Sequence, residues 1–319
     1  MSEKFCFQET KNRIITELVS LGVKPEQAET FADCLATADL YGVSSHGSRL
    51  MSAYVDKIKR GDFNLSPEIK IIRETAAFAV VDGDNALGPV SADFCMNYAM
   101  EKCKDSGVFT LFSNNNNTFG PAFYYPLKAA EKGYIALISS NSPAQMAAIG
   151  GKEKLLGTNP FSAVIPVSED NPIIIDMAPS VVAKSKFKEY KENGKNLPDG
   201  WATDIDGNPT NDPDKAMQGL VLPMAGFKGY GIAMLIDILS GVMSGASYLN
   251  NVGRFYSTDG KSMNIGYYMT VIDPVQVLGE QYNEVINDFV NIIRNSETIE
   301  GMSIILPGDD RLKNKENNS

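Results

Sequence analysis

One histidine occurs in the 319 residues, His46, inside the hexapeptide SSHGSR that ends at Arg49. Imidazole is the side chain whose unperturbed pKa lies nearest neutrality, so acid–base chemistry by histidine has a single candidate here. Ser44 or Ser45 suits a helix N-cap, which puts His46 at the first or second helical position. The positive end of the helix dipole disfavours imidazolium there and lowers its pKa. A neutral ring so placed can accept a proton or polarise a carbonyl by donating to it. Arg49 follows three residues later and would share that side of the helix. A guanidinium gripping a carboxylate beside an acid–base imidazole is the minimum equipment for handling a 2-oxo or 2-hydroxy acid. The plainer alternative is that Ser45 and His46 only cap and solvate a helix start.

Other segments bear on nucleotide binding. Neither GxGxxG nor the phosphate loop GxxxxGK[ST] is present. The glycines of IGGKEKLLGTNP (residues 149–160) are spaced for neither and read as turns. FKGYG (residues 227–231) sets Lys228 just ahead of a helix, with two glycines that let backbone approach something closely. A phosphate at such a helix start is physically natural, and so is a plain turn into a buried helix. Thr118 follows four asparagines in SNNNNTFGP, directly after a strand. Polar ligand recognition and an exposed asparagine-rich turn both fit that run. Cys6, Cys34, Cys95 and Cys103 form no CxxC pair, and no histidine stands at zinc-ligand spacing. Cys95 and Cys103 lie in a helical stretch and read as core, which suits a reducing compartment and not a disulfide framework.

A chain of this length can form two domains or one large one. Its 43% hydrophobic and 21% charged residues are ordinary for a globular protein. The net charge of −10 and the lack of any basic block argue against nucleic acid or an anionic membrane as partner. The start, MSEKFCFQETKNR, lacks the apolar run of a signal peptide. GIAMLIDILSGVM (residues 231–243) is too short to span a bilayer and carries Asp237, so it reads as a buried helix. The expected setting is the cytoplasm.

The elements that must position these groups follow from periodicity. Ile14, Ile15, Leu18 and Val19 mark a first helix stopped by Gly22. Pro25 opens a second, through residue 40, with Ala28, Phe31, Ala32 and Leu35 on one face; Gly42 ends it. The third starts near Ser44 or Ser45, carries Leu50, Met51, Tyr54, Val55 and Ile58, and closes at Gly61. Strands are expected at 69–72, 78–81, 108–112, 135–139, 162–166, 173–176, 267–272 and 303–306, with turn chemistry at 82–85. Helices are expected at 90–105, 124–132 and 280–294, a long polar loop at 196–213, and a frayed tail from 309.

Taken in order, several segments carry a resemblance. They are ADLYGVSSHG (38–47), GG with LGTNP (150–160), DMAPS (176–180), LPDGWATDIDGNPTNDP (197–213), KGYG (228–231), LSGVMSG (239–245) and LPGDD (306–310). Together they resemble the malate/L-lactate dehydrogenase-like family of NAD(P)-dependent oxidoreductases over nearly the whole chain. The resemblance implies an α+β, non-Rossmann fold: a helical N-terminal domain plus an α/β domain with a largely antiparallel sheet. Residues 1–75 with 280–319 would form the helical domain, and 76–279 the cofactor-binding one. It further implies NAD or NADP as cofactor, a homodimer, and a small 2-oxo or 2-hydroxy acid substrate of the malate, lactate, sulfolactate or ureidoglycolate type.

Roles carry over residue by residue. His46 matches the proton donor of some members. Ser142, the run Asp176, Met177, Ala178, Pro179, Ser180, Val181 and Val182, then Phe227 and Lys228, and finally Gly308, Asp309 and Asp310 fall where relatives bind the dinucleotide. Two departures stand out. Thr118 occupies the place of a second histidine that many relatives carry in HxG, and threonine does not titrate near pH 7. The family's arginine is three residues beyond the SHG glycine, where this chain has Leu50; Arg49 comes one earlier, turning its side chain by about 100° on a helix. Arg49 and Thr118 thus join His46 as catalytic candidates. Reduction of a cyclic imino acid, whose C=N acceptor leaves no alkoxide to protonate, is the alternative activity. A catalytically impaired homologue that only binds nucleotide or metabolite is the alternative from another class.

Overall fold

The computed structural model describes residues 6–258 and 261–319. Residues 1–5 of the N-terminal stretch MSEKFCFQETKNR lie outside the described residues.

The chain begins with α1 (Phe7–Ser20) and α2 (Pro25–Leu40), an antiparallel pair seated through Ile14 and Leu18 on Ala28, Phe31 and Leu35. Pro25 opens α2 at its first turn, where its missing N–H costs no hydrogen bond. Single 3₁₀ turns, Ser44–His46 and Ser48–Leu50, precede α3 (Met51–Arg60). The expected N-cap at Ser44 or Ser45 is therefore wrong, because the α-helix starts only at Met51. Tyr54 of α3 meets the edge of Phe31 at 4.7 Å. Burying rings of this kind contributes about 1.5–3 kcal/mol each.

Next come β1 (Lys70–Glu74), β2 (Phe78–Asp82), α4 (Gly88–Ser106), β3 (Val108–Asn116), α5 (Tyr124–Ala130), β4 (Ile135–Ser140), β5 (Phe161–Ile165) and β6 (Ile173–Met177). β3 runs four residues beyond the expected strand, so Asn114, Asn115 and Asn116 belong to the sheet, and Asn116 and Asn117 are buried. The exposed-turn reading of that run fails because these amides bond the sheet's interior: Asn116 Nδ2 donates to Ser113 Oγ, and Asn117 Nδ2 to the Ala86 carbonyl.

A smaller unit follows: α6 (Ser185–Glu192), β7 (Ala202–Thr203), β8 (Pro209–Thr210), α7 (Pro213–Gln218), capped by Asp212, and β9 (Leu220–Val221). The expected polar loop at 196–213 thus supplies two strands of a three-stranded sheet ordered β8-β7-β9. α8 (Phe227–Asp237) runs into one π-turn (Ile238–Val242), and β10 (Ile265–Ile272), α9 (Pro274–Leu278), α10 (Tyr282–Arg294) and α11 (Asp309–Asn318) complete the chain. The segment expected as a buried helix is buried on one side only: Leu235, Val242 and Met243 are each more than half exposed. Residues 303–306 form no strand. The tail is not frayed, since α11 buries Leu312 against Tyr41 and Phe123.

The main sheet is ordered β1-β2-β3-β10-β4-β5-β6, with β2–β3 its one parallel pair. It is a mixed α/β fold on a mostly antiparallel sheet. Alternation sorts its two faces. Phe109, Leu111, Ile138, Met269 and Val271 point to the side of α2 and α4. Farther along that face, Val164 and Ile174 meet α5 and α11. On the other face Ser139 bonds Ser240 of the π-turn, and Ile165, Ile173 and Ile175 pack with Val290 of α10.

Candidate active site

β3, β4 and β6 run in one direction, because one antiparallel strand lies between each and the next: β10, then β5. They end at Asn116, Ser140 and Met177, so Thr118, Ser142 and Ala178 leave the sheet at the same end. The loop after α2 is fastened to that end. Cys34 Sγ lies 3.6 Å from the Phe119 carbonyl, and the Tyr41 ring centroid lies 5.2 Å from that of Phe123. α11 clasps the loop from outside, with Asn318 Nδ2 donating to the Leu40 carbonyl at 3.0 Å.

Within this loop the SHG segment has a definite local cause. Asp39 Oδ2 accepts the Ser48 N–H at 2.8 Å and so anchors the second 3₁₀ turn. A Cβ on Gly47 would overlap the same carboxylate. Gly47 is extended (φ −96°, ψ −157°), so close approach, not left-handed backbone, calls for glycine.

His46 closes the first turn, and its Nδ1 lies 3.0 Å from Ser45 Oγ. Its surface is exposed, yet burial is the leading cause that holds its pKa below 6.5, followed by the charges of Arg311 and Arg49. Both statements describe a ring touched by solvent yet closely surrounded by protein. The lowered pKa expected from the sequence is found; the helix dipole expected to produce it is not, because no α-helix starts there. Arg49 belongs to the next turn, separated by Gly47, so the two side chains do not share one helix. Arg49 is exposed and has no ion-pair partner among the described residues.

Asp176 lies on the sheet face that carries α11, in register with Ser162. Arg311 Nη2 bonds Asp176 Oδ2 at 2.5 Å, and the guanidinium stacks 4.9 Å from the Phe123 ring centroid. Burial raises the Asp176 pKa above 3.8, with Arg311 opposing. Arg311 therefore joins β6, the turn after β3 and the His46 loop, although sequence reasoning missed it. A signal existed: Gly308 followed by two acids is a helix-start pattern, and it would have placed Arg311 in a first turn.

The remaining candidates gather differently. Ser142 spends its polar groups on Asn159: its N–H donates to Asn159 Oδ1 at 3.0 Å, and its Oγ accepts the Asn159 N–H at 3.2 Å. Asn159 Nδ2 reaches the Ala233 carbonyl of α8. Pro179 and Ser180 are buried, with the Pro179 carbonyl accepting Met224 N–H and Val181 N–H donating to Leu222. A Cβ on Gly229 would press on the Pro179 carbonyl and come within 2.5 Å of the Met224 carbonyl. DMAPS and KGYG are thus two sides of one seam. Ala178 and Val182 are half-buried beside it, and Met177 and Phe227 are exposed. Lys228 is the second residue of α8, exposed and unpaired among the described residues. Gly308 (φ 102°) packs on Ile174, two residues from Asp176. Asp309 turns away to Arg294 and the Leu306 N–H, and Asp310 is exposed.

The sequence pattern of the malate/L-lactate dehydrogenase family matches residues 5–319. A malate dehydrogenase of Pyrococcus horikoshii is 39% identical over 292 residues, 89% of this chain and 80% of that protein. Ureidoglycolate dehydrogenase (NAD(+)) of Escherichia coli K12 is 34% identical over 268 residues, 84% of this chain and 76% of that one. The solved structure of sulfolactate dehydrogenase from Methanocaldococcus jannaschii superposes with a TM-score of 0.93 at 36% identity, covering 98% of this chain and 90% of the other.

Proposed function

The chain belongs to the malate/L-lactate dehydrogenase family, and we propose that it is an oxidoreductase moving a hydride between NAD or NADP and a small 2-oxo or 2-hydroxy acid. The observation that carries this reading is the lone imidazole in the loop fastened to the end of the sheet, its pKa lowered by burial and by the charges of Arg311, which pairs with Asp176, and of the unpaired Arg49. In the oxidation direction His46 takes the hydroxyl proton as the same carbon gives up its hydride. In reduction it returns that proton to the carbonyl oxygen. Arg49 holds the substrate carboxylate, and Thr118 offers a hydroxyl that bonds without titrating.

The dinucleotide, when bound, supplies or receives the hydride. The residues at the sheet end suit it. Gln145 Oε1 is buried without a partner, in a seam where the Gln145 carbonyl accepts Val221 N–H. A ligand donor placed there would satisfy that oxygen. Lys228, exposed at the start of α8, suits a phosphate, and we infer that Asp176 to Val182, with Gly308 to Asp310, line the rest of the dinucleotide's path.

We read residues 1–75 with 280–319 as the helical domain of a non-Rossmann fold, and 76–279 as the cofactor domain. We also infer a homodimer: Leu235, Ile238, Val242 and Met243 on one segment, and Val285, Phe289 and Ile292 on α10, leave apolar surface that a second copy would cover. The singly buried Cys34, Cys95 and Cys103 suit a cytoplasmic setting.

Following NADH and NADPH absorbance against a panel of 2-oxo acids and cyclic imino acids tests the activity. His46→Ala should lower turnover roughly 10²-fold or more while dinucleotide affinity stays near wild type. Near-normal turnover in that variant refutes the role. Thr118 gives the imino acid reductase reading its support, and oxidation of NAD(P)H by imino acids alone would favour it.

A further inference from the structure

Three polar contacts fasten one side of α8 and its π-turn to the end of the main sheet. Asn159, just before β5, donates from Nδ2 to the Ala233 carbonyl at 2.8 Å. Asn141, just after β4, donates from Nδ2 to Asp237 Oδ1 at 3.1 Å. Ser139 of β4 lies 3.2 Å from Ser240, hydroxyl to hydroxyl. Ala233, Asp237 and Ser240 follow one another at spacings of four and three, so they lie along one side of the helix. All six residues are buried.

Asp237 is the member of this row that apolar packing does not explain. It is a carboxylate with no ion pair among the described residues, and a buried charge destabilises a fold unless hydrogen bonds answer it. Two donors do so: Asn141 at Oδ1, and the Leu249 N–H at Oδ2 at 3.0 Å. An amide or a leucine in its place would not take a donor on each of two oxygens. Asn141 also accepts the Gly266 N–H of β10 at 3.0 Å and donates to the Ser247 carbonyl at 2.6 Å. The carboxylate therefore joins α8 to the middle of the sheet and to Leu249, which is held left-handed (φ 54°) and packs on the core of the smaller unit. The rest of α8 gives little to fix its height. Its buried side opens with Gly229 and Ala233, too small to interlock, while Met234 and Leu235 are exposed.

We infer that Asp237 is a positioning residue for the dinucleotide: flanked by the ties at Ala233 and Ser240, it sets the height and rotation of α8 and thereby the place of Lys228, a role that rests on the reading of Lys228 as a phosphate's partner. Lys228 stands nine residues ahead of Asp237, about 14 Å along a helix axis. A slip of one residue would move it by about 1.5 Å and turn it by about 100°, enough to break a hydrogen bond to a phosphate.

Fluorescence titration of the full chain with NADH and NADPH, in a double-mutant cycle of Asp237→Asn and Lys228→Met, tests this role. Asparagine keeps the shape but turns its NH₂ toward one of the two donors, so one tie is lost. Alone, Asp237→Asn should weaken the dinucleotide roughly fivefold or more; in the Lys228→Met background it should cost less than about twofold, because the group it places is gone. Ser240→Ala removes only the tie to Ser139. It should cost about two- to threefold alone and nothing measurable with Lys228→Met, and it carries the cycle if circular dichroism shows Asp237→Asn unfolded. A merely structural Asp237 would lower the melting temperature yet give equal affinity losses in both backgrounds. That result, or undiminished affinity in folded Asp237→Asn, overturns the positioning role and leaves Lys228 as the phosphate's partner. Wild-type affinity in Lys228→Met, or a wild type that binds neither dinucleotide, overturns the phosphate reading and the positioning role together.

Discussion

The sharpest local consequence of the structure concerns Gly47 and Asp39. At Gly47 the backbone is extended, so alanine can adopt it without torsional strain. The obstacle is Asp39, whose carboxylate fills the space a Cβ would take while it accepts the Ser48 N–H. Gly47→Ala must push that carboxylate away. The lost bond to a charged acceptor costs about 1.5–3 kcal/mol. Reduced freedom of the unfolded chain returns roughly 0.4–1 kcal/mol. The net destabilisation is about 0.5–2.5 kcal/mol, and the His46 turn shifts with it. Asp39→Ala alone forfeits the same bond but leaves a hole. In that background the three atoms nearest the new Cβ are gone, so Gly47→Ala should become neutral or stabilising by up to about 1 kcal/mol. Urea unfolding of the four proteins under one condition reads the cycle through the midpoints. A Gly47→Ala penalty of equal size in both backgrounds would show that Asp39 is not what excludes the side chain, and the account of this turn would fall.

Three further outcomes are expected. The single histidine allows a one-signal NMR titration: His46 should titrate below 6.5, and Arg311→Met should move it upward by removing a cation, while Arg49, Asp39 and a now unpaired Asp176 still face the loop. Since the folded pKa is the lower one, the neutral ring's contribution to stability is complete above 6.5 and is lost as pH falls through the folded value; a titration above 6.5 in wild type would contradict the burial and the neighbouring cations described for the ring. Gly229→Ala should destabilise the chain by more than about 1 kcal/mol and weaken dinucleotide binding, because its Cβ would press on the Pro179 and Met224 carbonyls; unchanged binding and melting would break the link between the two segments. Phe289→Glu should shift the light-scattering mass of a homodimer to that of one chain, and an unchanged dimer would clear α10 of the interface.

Much of the architecture follows from local pattern. Pro25, Gly61 and the apolar stripe of α2 announce helices that the structure contains, because capping and periodicity act within a few residues. The lone His46 was legible for a similar reason: the chain offers no competitor. Errors arose where distant contacts overrode local preference. Serines at 44 and 45 look like caps, yet the Asp39 carboxylate and Gly47 break that stretch into two 3₁₀ turns. Asparagines 114–116 look like a turn, yet they extend β3, where Asn115 Nδ2 donates to Asp82 Oδ1 and Asn116 Nδ2 to Ser113 Oγ. The polar tail looks frayed, yet Leu312 finds Tyr41 and Arg311 finds Asp176.

By itself, then, the sequence determined which side chains were available: one imidazole, one nearby guanidinium, glycines where backbones would meet, and cysteines too scattered to bridge. Only the tertiary structure decided which of them act on each other. The pKa of His46 is lowered by burial and by Arg311, 265 residues away along the chain. Charges interact through space, across distances that a local reading of the chain does not span.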